Sequence, residues 1–357
     1  RLRDACWRHP KALFGVAVGS LVLALGGYAM YAYAPWVAAA VVLVYAVVVM
    51  SYRQNVHAYP GGGGDYTVVS ENLGPKWGVF TASALLVDYT LTVAVSISAA
   101  VANLGSVFPV ISDHAAWWAV GIIVVITLVN LRGIRESGVA FAIPTYLFIT
   151  SVFVMIGTGF YKFLTGQPLV AYSAGFEVTP LDQVENTMNA ALILLVLRAF
   201  ASGCSALTGI EAIANGVPAF RKPKVKNAQT TMTLMGLTAV LMFIGVTALA
   251  LISKVHYAEN PCEQLPDWTA CATDPQMSVM AQIGGAVFGY NNWMFYVIQA
   301  GTAAVLLLAA NTAFNGFPLL SSVLAQDKFA PKALLTRGDR LVYSNGMLSL
   351  SAAALIL

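Results

Sequence analysis

Charge is what this chain has least of. Only 10% of its 357 residues are Asp, Glu, Lys or Arg, where a soluble domain averages about 25%. A soluble domain is excluded on that ground, and the net charge of +3 is no argument for nucleic acid. Histidine is scarce too. Its four copies fall in the leader (His9) and between apolar segments (His57, His114 and His256), so no zinc or copper site is expected. There is no HExxH helix, no nucleophile elbow and no carboxylate pair at catalytic spacing. A membrane-embedded enzyme or sensor is therefore the remote alternative, and no resident metal or cofactor is expected. The four glycines at 61–64 lack the GK[ST] ending of a phosphate loop. No secretory signal peptide stands apart from the first apolar run.

What the chain does have is apolar length. It is 58% hydrophobic, with a mean hydropathy of +0.73. Stretches of about 20 apolar residues, each long enough to cross a bilayer as a helix, recur through it. Nine spans are predicted, at 13–34, 37–51, 77–104, 115–131, 139–163, 188–216, 229–252, 289–314 and 343–357. They make one polytopic membrane domain over 1–357, with the last span running off the end of the chain. With the N-terminus cytoplasmic, 16 of the 19 basic residues fall on the inner side. Only Lys162 and Lys254 fall outside, and Arg198 falls within a span. So lopsided a distribution sets the orientation and points to a multi-pass protein of the plasma membrane facing anionic lipid. Cys262 and Cys271 share one outer loop, where an oxidising compartment favours a disulfide that braces the loop.

The informative residues are those that break the apolar pattern. Asp88 and Glu211 lie inside long apolar segments. A carboxylate at membrane depth is costly unless it has a partner or faces water, so each reads as part of an ion or proton pathway. Asp88, Thr92 and Ser96 recur at i, i+4 and i+8, one stripe of a helix, with Tyr89 beside them. These are hard oxygen ligands, suited to alkali or alkaline-earth cations and unsuited to soft metals. Interhelical hydrogen bonding explains Thr92 and Ser96 equally well but explains Asp88 poorly. Residues 200–209, FASGCSALTG, crowd small and hydroxyl residues together, Thr208 among them. Such a stretch serves either close helix packing or a helix broken at mid-membrane. Asn311 and Thr312 are further candidate ligands from another helix.

The motifs VDYTLTVAVS (87–96), ASGCSALTGIEAIANGVPAF (201–220) and SYRQNVHAYPGGGGDY (51–66) resemble the amino acid–polyamine–organocation superfamily and, within it, the KimA-type potassium importers. LRGIRES, AANTAFNGFPLL and TRGDRLVYSNG add to the resemblance. It implies an all-α, LeuT-like fold of two inverted five-helix repeats with discontinuous first and sixth helices. It also implies proton-coupled potassium uptake by a homodimer. By position, Asp88, Tyr89, Thr92 and Ser96 match the family's third-helix cation residues. Thr208 and Glu211 match its sixth-helix pair, with Glu211 the residue for proton coupling. The match departs at the first helix, where FGVAVGSLVLALGGYAM lacks the expected aspartate. The tenth helix, with its tyrosine, and any cytoplasmic C-terminal domain are expected beyond Leu357. A proton-coupled amino acid permease of the same superfamily is the alternative function.

Overall fold

The computed structural model describes residues 34–60, 64–133, 138–176, 209–257, 276–335 and 343–357. Regular structure among the described residues is entirely helical. The α-helices are α1 (Ala34–Ala58), α2 (Asp65–Leu73), α3 (Pro75–Gly105), α4 (Pro109–Asp113), α5 (Ala115–Leu131) and α6 (Gly138–Leu164). They continue with α7 (Ile210–Asn215), α8 (Lys224–Ile252), α9 (Val279–Phe288), α10 (Trp293–Gln326) and α11 (Ser344–Ile356). Five of them, α1, α3, α6, α8 and α10, are long and apolar enough to cross a membrane, as a multi-pass membrane protein requires. Most of the expected spans 13–34 and 188–216 lie outside the described residues, as do Arg198, Thr208, Cys262 and Cys271.

The long helices follow the apolar pattern closely, and their ends have local causes. Gly74 at φ +96° separates α2 from α3, a conformation that costs glycine little. Pro75 then opens α3 at a position where the missing N–H would be unpaired in any case. The largest correction is α10. The expected span 289–314 instead starts at Trp293, where the Asn292 side chain accepts from the Met294 N–H at 2.9 Å. It also continues past Asn315, Gly316 and Pro318 to Gln326. Proline forfeits one backbone bond there, but the buried side chains of Phe314, Pro318 and Leu324 keep the helix docked across it. Three helices escaped the sequence reading. α2 and α4 are short and partly polar, and α9 falls between the expected outer loop 254–280 and the next span. Ser278 starts α9 by accepting from the Ala281 N–H at 3.2 Å.

Two packing groups organise the part of the molecule that carries the acidic residues. Tyr45 and Val49 of α1, Ile210 and Ala214 of α7, and Ala228 and Met232 of α8 share one buried cluster. A second joins Val93 and Ile97 of α3, Ile123 of α5, Ala310 and Phe314 of α10, and Leu350 of α11. α3 and α10 are the most extensively packed helix pair. Burial of such side chains contributes about 1.5–3 kcal/mol each, which holds the helices of each group against one another, and a third cluster joins Val246 of α8 to Ile298 of α10 through Met155 of α6.

Candidate functional site

Asp88 lies 13 residues past the start of α3, roughly 20 Å along the helix axis. That places it near the middle of a membrane-spanning segment. The helical stripe predicted from sequence is there, and it is graded. Asp88 is open at the surface of the described structure. One turn on, Thr92 is 7% exposed, and after a second turn Ser96 is 0% exposed. The Ser96 hydroxyl meets no hydrogen-bond partner among the described residues. An unpaired buried hydroxyl costs about 1–3 kcal/mol, so this oxygen keeps an unused hydrogen-bonding capacity among the described residues. Further along α3, Ala99 and Asn103 line a cavity of about 950 Å³ between α1, α3, α6, α8 and α10. Its other lining is mostly apolar, relieved by Thr145, Thr238 and Thr302.

Glu211 is the second residue of α7, two past Gly209, whose φ of +99° is a left-handed conformation that glycine adopts at little cost. The rest of the stretch 200–209, where a break in the sixth span is expected, lies outside the described residues. Tyr89 does not extend the Asp88 stripe. It turns toward α7, and its hydroxyl donates to Glu211 Oε1 at 3.2 Å. The aromatic ring fits against α10 at Gly316, where a side-chain carbon would come within 2.6 Å of it. So the glycine of the NGFP sequence makes room for the tyrosine that links α3 to Glu211. Of the two further candidates on α10, Asn311 accepts from Asn130 of α5 at 2.7 Å. The Thr312 hydroxyl donates to the Ala309 carbonyl of its own helix at 2.7 Å.

The sequence reading missed a neighbouring group of residues. Tyr52 of α1 donates to Asp65 Oδ2 of α2 at 2.5 Å. Tyr66, the next residue, donates to Asp327 at the end of α10, also at 2.5 Å. Tyr52, Asp65, Tyr89 and Glu211 are close enough to interact electrostatically. Burial and the Asp327 carboxylate push the Tyr66 phenol up to about 12, so it stays a donor at any physiological pH. Burial pushes the Asp65 carboxyl above its ordinary range, against the smaller opposing effect of the Tyr52 hydrogen bond. Tyr52 from α1, Tyr89 from α3 and Glu211 from α7 are the groups that face this corner. A carboxyl raised in the folded state favours folding while protonated, and that contribution is lost as pH rises through its folded value. The melting temperature in detergent is therefore expected to fall as pH rises above about 4, the ordinary aspartate value. Asp65→Asn removes that part of the slope. An unchanged pH profile in the variant would refute the assignment.

The signal for this corner was in the sequence. Tyr52 and Asp65 both sit in SYRQNVHAYPGGGGDY, a segment that carried the family resemblance without a role for either residue.

Residues 11–357 match the amino acid permease family. The chain belongs to that family. The family is one of transporters, which sets aside the embedded enzyme or sensor. The chain is also 40% identical, over 364 residues, to the Potassium transporter KimA of Bacillus subtilis (strain 168). The match covers 100% of the chain and 56% of that protein's length.

Proposed function

We propose that this chain is the membrane domain of a potassium transporter that works by alternating access. The observation that carries the reading is the graded stripe on α3. A carboxylate at its open end, a buried hydroxyl at Thr92 and an unpartnered buried hydroxyl at Ser96 offer successive oxygens to a dehydrating cation. Asp88, Thr92 and Ser96 would hold the ion, with Thr208 as a further ligand. Glu211, tied to α3 through Tyr89, would carry the coupled proton, so that cation and proton act on adjacent helices. Tyr89 then positions Glu211 rather than binding the ion. The similarity to a named potassium transporter supports potassium over other cations. The charge distribution supports a plasma-membrane protein with a cytoplasmic N-terminus, in which α2 and α7 lie toward the inner side. A Cys262–Cys271 disulfide in the outer loop, a homodimer and the LeuT-like inverted repeat complete the proposal.

One observation favours a second reading. The cavity of about 950 Å³ is far larger than a bare cation needs and mostly apolar, which suits an organic substrate. A proton-coupled amino acid permease is therefore the competing function.

Expression in cells lacking potassium uptake separates the two. Growth at limiting potassium, lost in Glu211→Gln at unchanged membrane abundance, is the expected outcome. Labelled amino acid accumulation without growth rescue would replace the potassium reading with the permease reading.

A further inference from the structure

The hydrogen bond from Tyr89 to Glu211 crosses between the two packing groups and belongs to the site already described. The bond from Tyr52 to Asp65 crosses between the same groups in the opposite sense. Its donor is on α1, which packs with α7 and α8, and Gln229 of α8 reinforces that side by donating to the Arg53 carbonyl at 2.8 Å. Its acceptor is on α2, and α2 is fixed to the other group. Tyr66 is buried against Ala82 of α3 and Leu324 of α10, with its hydroxyl held by Asp327. The Ser70 side chain presses on Gly78 of α3, where a side-chain carbon would come within 1.8 Å of the hydroxyl. Asp65 is thus presented by one unit and grasped by the other, next door to a residue that pins it.

We propose that Tyr52 and Asp65 form a latch between the two helix units, closing the end of the transport pathway beside Glu211 and setting how readily that end opens. Both are positioning residues: they act on the movement of α1 relative to α3 and α10. The proposal rests on the transport reading above for its consequences but on the packing alone for the latch. Tyr66 and Asp327 serve as its fixed post.

A latch that favours the closed end has a distinctive signature. A substrate's apparent affinity falls with the fraction of molecules in the state that binds it. Releasing the latch populates the state open on the Tyr52 side. Full-length protein in proteoliposomes, assayed for potassium flux in both directions, reads this directly. Tyr52→Phe and Asp65→Asn are each expected to lower the KM on the Tyr52 side and raise it on the opposite side, by about fivefold. The double variant should go no further than either single one, and Asp65→Glu should restore most of the difference. KM values unchanged on both sides, or raised together with a lower melting temperature, would overturn the latch. If the unsubstituted protein moves no potassium, the transport reading fails on its own. The latch is then read by amide hydrogen exchange of residues 64–73, expected to accelerate about tenfold in Tyr52→Phe. Unchanged exchange would overturn it.

Discussion

Asp88→Asn is expected to reduce potassium uptake by about a hundredfold or more, equivalent to about 2.7 kcal/mol of lost transition-state stabilisation, with the protein still inserted. Asn keeps the size and one oxygen but loses the charge that offsets the ion's dehydration. Thr92→Val and Ser96→Ala each remove one neutral oxygen, and about fivefold losses are expected from them, since a neutral contact contributes about 1 kcal/mol. Ser96→Ala has a second signature. The wild-type hydroxyl is buried at 0% exposure without a partner among the described residues. Removing it should leave the melting temperature unchanged or higher. Uptake that falls while stability holds identifies a ligand, whereas a fall in both would make Ser96 a packing residue. Normal uptake by Asp88→Asn would sink the cation role of the stripe.

Gly316→Ala is expected to impair transport about thirtyfold, a penalty near 2 kcal/mol, although Gly316 touches no proposed ligand. A methyl at this position meets Tyr89 Cζ at 2.6 Å, Cε1 at 2.7 Å and the hydroxyl at 2.8 Å. Such contacts are well inside van der Waals range, and the atoms met are the far end of the Tyr89 side chain, so the ring is the part that shifts. The Tyr89 hydroxyl already stands 3.2 Å from Glu211. A further shift of about 0.5 Å takes it out of hydrogen-bond range. Tyr89→Phe, which deletes only the hydroxyl, should give the same phenotype, and the double variant should be no worse than either. Full activity in Gly316→Ala beside an impaired Tyr89→Phe would break the connection between the glycine and the proton site.

How much could be foreseen depended on the range over which the signal acts. The limits 115–131 and 139–163 anticipated α5 and α6 almost to the residue, because continuous apolar runs end at charges and turns. The stripe of Asp88, Thr92 and Ser96 was equally legible, since i+4 spacing within one helix fixes a shared face. The extension of α10 was not, because Asn315, Gly316 and Pro318 are local stop signals overridden by burial of Phe314 and Leu324. Nor was the direction of Tyr89. Its partner Glu211 lies 122 residues away, and no periodicity reports a contact made by two helices folding together. Asp65 and Tyr52 are 13 residues apart across a glycine run, where sequence spacing says nothing about distance.

α10 passes both sites, and that makes it a lever. Gly316 sits against Tyr89, and Asp327 at the helix end holds Tyr66. The eleven residue steps from one to the other span roughly 16 Å, and Pro318, which lacks the N–H that would close one turn, stands just beyond the fulcrum. A pivot of about 5° at Pro318 moves the far end by about 1.2 Å, and Tyr66 moves with it because Asp327 holds its hydroxyl. A slight bend at one proline is thus mechanically sufficient to carry a displacement from the Tyr89–Glu211 contact to the far end of the rod, and to α2 with it.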